Sequence, residues 1–201
     1  MRLIGSTLSP FVRKIRVAAI ELGIGDAVEL VAIDVFDPAN GLERINPLRK
    51  IPALVLDDGT ALYDSAVICE WLCARYPEPA LLPRDATRWP VLVTQALADG
   101  LVDAAALARQ EKLRPADEQS PAFIDKQMKS VDRALAALDA DADWRSRDID
   151  IAQIAAACAL DWLSFRFPEY GWRTALPGLS AWHDEISRRP SMLATRRQEA
   201  T

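Results

Sequence analysis

The sequence predicts a small α/β domain built on a four-stranded mixed sheet, followed by an all-helical domain. Three observations carry this. Strand-like and helix-like segments alternate only up to about residue 76. Residues 77–85 hold three prolines in nine positions and read as a linker. Beyond them every periodic stretch steps at helical spacing. With 201 residues, 50% of them hydrophobic and 26% charged, the chain has the length of one domain or two small ones and the composition to bury a sizeable core.

Residues 2–5 are short and apolar and precede Ser6 and Thr7, which predicts a first strand. Phe11, Ile15, Ala18, Ala19 and Leu22 then recur at helical spacing, opened by Pro10 and closed at Gly23. The β-branched run Val28 to Ile33 predicts a second strand, and a loop with weak helical character follows around Asn40 to Asn46. Ala53–Leu56 and Thr60–Tyr63 flank Asp57-Asp58-Gly59, a hairpin turn, and Val67, Ile68, Trp71 and Leu72 predict a helix ending before Pro77. The order β-α-β-α-β-β-α gives a right-handed crossover, then an antiparallel hairpin, with helices on both faces of the sheet. The domains are therefore 1–76 and 86–201, joined by the linker 77–85.

In the second domain, Trp89 to Leu113 is a long helical stretch with Pro90 in its first turn. Ile124, Met128, Val131, Leu135 and Leu138 step by four and three, the seam of a helix packed along another. Ile151, Ile154, Ala155, Cys158, Trp162 and Phe165 predict a buried helix, and Leu179, Trp182 and Ile186 a further one before Pro190.

Composition excludes several classes of function. Lys and Arg number 24 against 29 Asp and Glu, a net charge of −5, which argues against nucleic acid as a partner. The longest uninterrupted apolar run, Ile154 to Leu160, is far short of the ~20 residues a membrane span needs. Arg2, Ser6, Thr7, Arg13 and Lys14 break up the N-terminus, so no secretory signal is read and a cytoplasmic protein is expected. Three cysteines are too few and of the wrong parity for a disulfide framework. A single histidine, His183, argues against a His-ligated metal site or a Ser-His-Asp hydrolase.

Three short motifs are placed to carry chemistry, and each also has a purely structural explanation. Ser9-Pro10-Phe11 opens the first helix, with Ser9 as N-cap and Pro10 at the first helical position. The same geometry aims a hydroxyl and partly positive backbone amides at one point, where they favour ionisation of a thiol. Lys50-Ile51-Pro52-Ala53-Leu54 enters the third strand. Pro52 is harmless there, or it shapes a cis turn that offers the N–H and C=O of Ile51 to an extended peptide-like ligand. Asp64-Ser65 caps the next helix, or receives a carboxylate at its N-terminus. Singly each is weak; their order within one β-α-β-α-β-β-α unit is more specific.

Ser9-Pro10-Phe11-Val12-Arg13-Lys14, Asn46-Pro47-Leu48-Arg49-Lys50-Ile51-Pro52-Ala53-Leu54 and Asp64-Ser65-Ala66-Val67-Ile68-Cys69-Glu70-Trp71-Leu72 resemble the signatures of the soluble glutathione S-transferases. The similarity covers nearly the whole chain and is closest to bacterial serine-type members. It implies a thioredoxin-like first domain, a cis Pro52, and Ile51 pairing with the cysteinyl part of glutathione. Ser65 would receive the γ-glutamyl carboxylate, and Lys50 would stand near the glycyl carboxylate. Asp64, where many relatives have Glu or Gln, would meet the α-amino group. Ser9 would donate a hydrogen bond to the thiolate. The resemblance implies conjugation of glutathione, as cosubstrate and without metal or prosthetic group, to a small apolar electrophile by a homodimer. Glutathione-dependent peroxide or disulfide reduction, and a non-catalytic binding protein on the same fold, are the alternatives.

Other residues read as structural. Asp150 and Gln153 stand at the positions of a capping box, flanked by Ile149 and Ile154 as a hydrophobic staple, where the family more often has Ser or Thr first and Asp third. Position 9 holds no Cys and there is no Cys-x-x-Cys, so dithiol exchange lacks its nucleophile; Cys69 and Cys73 read as buried packing residues. Asp99 and Asp103 read as solvated faces of the long helix, although the family architecture allows one to approach glutathione across a dimer interface. The tryptophans read as core, with one or two available to line a second-substrate pocket.

Overall fold

Four short strands, β1 (Arg2–Gly5), β2 (Glu29–Ala32), β3 (Ala53–Val55) and β4 (Ala61–Leu62), form one sheet in the order β2-β1-β3-β4. The structure is a computed structural model and describes residues 1–197. β1 runs parallel to β2, joined by helix α1 (Pro10–Glu21), while β3 is antiparallel to both β1 and β4. The alternation of side chains along the strands sorts the two faces. Leu3 and Leu54 are register partners and both are fully buried. On the opposite face Ile4, Ala53 and Val55 form a cluster with Leu42, with Val31, Ile33, Ile45 and Ile51 against it.

Gly5 shows how tightly α1 lies on the first of these faces. A Cβ at Gly5 would stand 2.4 Å from Cγ2 of Val12, so only glycine fits beneath the helix. Helix α2 (Ser65–Arg75) packs against α1 and β3. The loop with weak helical character expected around Asn40 to Asn46 forms one 3-10 turn, Leu42–Arg44, where the predicted element order has its second helix. Local polar bonds keep it to a single turn. Asn40 Oδ1 accepts the Leu42 N–H at 2.9 Å and Asn46 Oδ1 accepts the Leu48 N–H at 3.0 Å, while Gly41 at φ 71° and Pro47 close the turn at either end. The face opposite α1 is thus covered by Leu42 and its neighbours rather than by a helix.

The chain divides into two compact units: Met1–Arg84 together with the segment from Arg188, and Asp85–Ser187. The last segment therefore joins the first unit, not the helical one. Helix α8 (Pro190–Ala194) packs on α1, and its polar seam explains why. The buried Arg13 guanidinium donates to the Met192 carbonyl at 3.1 Å and to Thr195 Oγ1 at 3.3 Å.

In the helical unit α3 (Arg88–Lys112) packs against α4 (Pro121–Ala140) and α5 (Ile151–Arg166). The short α6 (Trp172–Ala175) and α7 (Pro177–Ile186) follow. Every residue of α5 from Ile151 to Leu160 is buried, and its five alanines allow close approach of neighbouring helices. Trp144, Trp162 and Trp172 are buried as expected, with Trp144 edge-on to Trp182 at 4.7 Å, but Trp89 is 66% exposed. Among the described residues α3 alone is long and apolar enough, by length and composition, to cross a membrane. It carries Asp99 and Asp103 and buries Val91, Ala98, Leu101 and Val102 within its own unit.

Asp150 caps α5 by accepting the Gln153 N–H at 2.9 Å. The reciprocal half of the capping box is not made. The Gln153 side-chain amide donates instead to the carbonyls of Trp144, Arg147 and Asp148 at 3.0, 3.0 and 3.3 Å. Three acceptors around one nitrogen fix its orientation and tie the preceding loop to the helix.

Candidate functional site

Strand register brings the three motifs to one end of the sheet. Ile4 pairs with Ala53, so Gly5 and the loop that leads to Ser9 lie opposite Pro52 and Ile51. Leu54 pairs with Leu62, so the start of β3 also faces the chain as it passes from β4 into α2. Ser9, Lys50, Ile51, Asp64 and Ser65 thus share one edge of the first unit, although they are spread over 57 positions of sequence. The other end of the sheet carries an open cleft lined by Met1, Arg2, Asp26, Glu29 and Asp57, away from these residues.

Ser9 is the N-cap of α1. Its backbone is extended, its Oγ accepts the Val12 N–H at 3.3 Å, and Pro10 follows in the first turn. The hydroxyl proton is donated to no group among the described residues. A half-buried O–H donor therefore sits beside the positive end of a twelve-residue helix.

The peptide bond Ile51–Pro52 is cis, as are Tyr63–Asp64 and Glu78–Pro79. Ile51 makes no backbone hydrogen bond among the described residues, so its N–H and C=O are available to a ligand. Lys50 is exposed and meets no carboxylate among the described residues. Asn46 holds this stretch in place, a role that a reading of residue types alone misses. It is 2% exposed, and its Nδ2 donates to the Lys50 carbonyl at 2.8 Å while its own carbonyl accepts the Arg49 N–H at 2.8 Å. The available signal is the Asn-Pro pair, a turn-initiating dipeptide. Arg49, at φ 51°, bridges to the Asp37 carbonyl at 3.1 Å and lies 3.7 Å from Glu43.

At α2 the two polar residues divide the work. Asp64 is the cap: its Oδ1 accepts the Ala66 N–H at 3.0 Å, and the residue is exposed. Ser65 is the first helical residue, 4% exposed, with a hydroxyl that pairs with nothing among the described residues. The arrangement is a hydroxyl, a carboxylate and a helix N-terminus presented together, fit for a zwitterionic amino-acid group. Cys69 and Cys73 are buried on this same helix. Asp99, Asp103, Asp150 and His183 all belong to the helical unit, and His183 is buried among Asp161, Arg173 and Trp172. No three His, Cys, Asp or Glu side chains among the described residues are grouped as a metal site.

Family models for the N-terminal and C-terminal domains of glutathione S-transferases match residues 3–80 and 104–185. The chain belongs to the glutathione S-transferase family. An uncharacterised glutathione S-transferase-like protein of Escherichia coli K12 is 35% identical over 97% of this chain and 98% of its own length. A glutathione transferase family member from Pseudomonas fluorescens Pf-5, solved with bound glutathione, is 44% identical, with a TM-score of 0.94 over 98% of this chain and 99% of that one. The Pseudomonas fluorescens family member is also seen with bound S-(propanoic acid)-glutathione. A glutathione S-transferase from Methylobacillus flagellatus KT with glutathione bound is 38% identical, with a TM-score of 0.92 over 96% of this chain and 98% of that one. The thioredoxin-like sheet and helical unit of this chain are those of the glutathione S-transferases.

Proposed function

We propose that this protein is a glutathione transferase that adds the glutathione sulfur to small electrophiles. The observation that carries the reading is Ser9, whose oxygen is engaged by its own helix while its proton remains undonated. A free thiol of pKa near 8.5 is mostly protonated at neutral pH, and only the thiolate attacks. A hydrogen bond from Ser9 together with the positive end of α1 favours the thiolate, each pKa unit of depression corresponding to about 1.4 kcal/mol. The thiol proton leaves to solvent, the sulfur forms a bond to the electrophilic carbon, and the leaving group departs or, in an addition, the adjacent carbon takes up a proton.

The remaining contacts hold the tripeptide. Ile51 pairs its available N–H and C=O with the cysteinyl residue as an added strand would. Lys50 faces the glycyl carboxylate. Ser65 and the amides of α2 receive the γ-glutamyl carboxylate, and the second oxygen of Asp64, left over from capping, meets the α-amino group. Glutathione is the cosubstrate. The setting is cytoplasmic, where glutathione is kept reduced, in keeping with three buried cysteines that form no disulfide. The protein acts as a homodimer formed through α3, a role supported by Trp89 and Val93, exposed one turn apart on that helix.

Retention on glutathione resin and a rise in melting temperature with glutathione test the binding. Turnover of a chloronitrobenzene, cumene hydroperoxide, a mixed disulfide and acrylate tests the reaction; acrylate is included because its adduct is a propanoic-acid conjugate of glutathione, and a ligand named S-(propanoic acid)-glutathione is bound in the Pseudomonas relative. Conjugation of the aryl halide or acrylate is expected. Binding without turnover of any substrate would reduce the protein to a glutathione-binding module, and faster turnover of the peroxide or disulfide would make it a reductase.

A further inference from the structure

Arg49 stands one residue before Lys50 and two before Ile51, and the proposed chemistry makes no use of it. Among the described residues it is the one non-glycine residue at a positive φ, 51°. A side chain is disfavoured in that left-handed region, which glycine enters freely, so the conformation persists only where its surroundings fix it. The turn that imposes it is built on Asn46. The Arg49 N–H donates to the Asn46 carbonyl at 2.8 Å, Asn46 Oδ1 accepts the Leu48 N–H at 3.0 Å, and Asn46 Nδ2 donates to the Lys50 carbonyl at 2.8 Å. The Lys50–Ile51 peptide is trans, so its C=O and N–H point in opposite directions. With the carbonyl committed to Asn46, the Ile51 N–H faces away from the turn, toward an added strand.

The Arg49 side chain ties this turn to a second segment. Its Nη2 donates to the Asp37 carbonyl at 3.1 Å and to Asn40 Oδ1 at 3.4 Å, and its Nε lies 3.7 Å from Glu43. The receiving segment is itself braced. Asn40 Nδ2 donates to the Asp34 carbonyl at 2.7 Å, and the Asp34 and Asp37 carboxylates accept the Phe36 and Ala39 N–H groups at 2.9 and 2.8 Å. One exposed ion pair contributes little, but three acceptors around one planar guanidinium restrict its position and, through it, the backbone that carries it. We infer that Arg49 is a positioning residue: its guanidinium anchors the Lys50–Ile51 peptide to residues 37–43 and so aligns the N–H that receives the cysteinyl part of glutathione. It touches no reacting atom. This role rests on the glutathione reading of the site and names what aligns its ligand-pairing edge.

The test measures glutathione binding by calorimetry, and the kinetics of chloronitrobenzene conjugation, on the full chain. Arg49→Gly accepts the positive φ and removes the anchor. It is expected to raise the Kd and KM for glutathione about fivefold or more, with kcat at saturating glutathione within about twofold of the parent, since Ser9 is untouched. Arg49→Lys keeps a donor for the Asp37 carbonyl and should fall between. Asn40→Ala, which leaves the Arg49 backbone as it is, should weaken binding less. Combined with Arg49→Gly it should weaken binding no further, because the segment is then already uncoupled. A parent chain that binds no glutathione overturns the glutathione reading and this role together. A parent that binds it overturns the role of Arg49 alone if Arg49→Gly keeps the parental Kd, if the loss falls on kcat only, or if the two changes add in the double variant.

Discussion

Glu21, at the end of α1, receives the Arg189 guanidinium through both carboxylate oxygens, each hydrogen bond 2.8 Å long. Ser191 donates its hydroxyl to the same carboxylate. The Arg189 hydrogen bond is the main reason the Glu21 carboxyl titrates below its ordinary value, burial opposing it and Ser191 assisting. A depressed carboxyl contributes stability above its unfolded value near 4.5 and loses it as the pH falls through the folded value. Glu21→Gln should therefore lower stability at pH 7 by roughly 1–2 kcal/mol, after allowance for the solvent reaching Arg189. The deficit should shrink as the pH falls below 4.5, measured by urea midpoints. A deficit that stays constant with pH would mean the pair is not the cause.

Ser9→Ala and Ser9→Gly separate catalysis from capping. Both remove the hydroxyl, but Gly retains most of the cap, whose loss in the Ala variant costs roughly 0.5–2 kcal/mol. If Ser9 stabilises the thiolate, the pH profile of kcat/KM moves alkaline in both variants, toward the pKa of free glutathione. A parental profile in Ser9→Gly, with loss on changing Ser6 or Thr7, would transfer the role to a neighbouring hydroxyl.

His183 supplies a prediction with the opposite chemistry. Burial is the largest reason its pKa lies below 6.5, with Asp161 pulling the other way and Arg173 adding to the depression. The Arg173 Nη2 stands 2.7 Å from Nδ1, and Nε2 lies 3.5 Å from the Asp161 carboxylate. Below pH 6.5 the unfolded chain takes up a proton that the folded chain resists, so stability declines as the pH drops from there. Because the chain has one histidine, His183→Gln should flatten that decline between pH 7 and 5.5 whatever it does to stability at neutral pH. An equally steep decline in the variant would assign it elsewhere.

Asp150 is stabilising as a cap and costly as a charge. Burial raises its pKa from 3.8, while hydrogen bonds from the Gln153 and Ala152 backbone and the charge of Arg147 act against that rise. With the folded value raised, the folded chain binds the extra proton, and stability falls as the pH climbs through the interval above 3.8. Asp150→Asn keeps an acceptor for the Gln153 N–H without the charge and should be neutral or stabilising at pH 7. Asp150→Ala should lose about 1 kcal/mol in chemical denaturation. Equal losses in both variants would show that the charge itself is what the site requires.

Periodicity and capping residues make most elements of this fold legible in the sequence. Ser9-Pro10 opens α1, Asp64 and Asp150 cap their helices, and the hairpin at Asp57-Asp58-Gly59 joins β3 to β4. The features that local pattern misses are decided by side chains acting on distant backbone. Asn46 reads as a loop residue, yet its buried amide sets the path of Lys50 and Ile51. Gln153 has the identity a capping box asks for, but its side-chain NH2 donates to the carbonyls of Trp144, Arg147 and Asp148, and its oxygen accepts nothing from the Asp150 N–H among the described residues. Neighbours along the chain carry no trace of such pairings.

The return of α8 to α1 makes the first unit discontinuous, with the helical unit inserted between its two parts. On a ribosome the stretch that ends at Arg84 emerges before its last helix exists. Arg13 and Glu21 then wait for partners that follow more than a hundred residues later, while the inserted helices are already complete. Sealing the first unit therefore requires the whole inserted stretch to have been made. Severing the chain at its proline-rich linker would accordingly leave neither fragment a finished first unit.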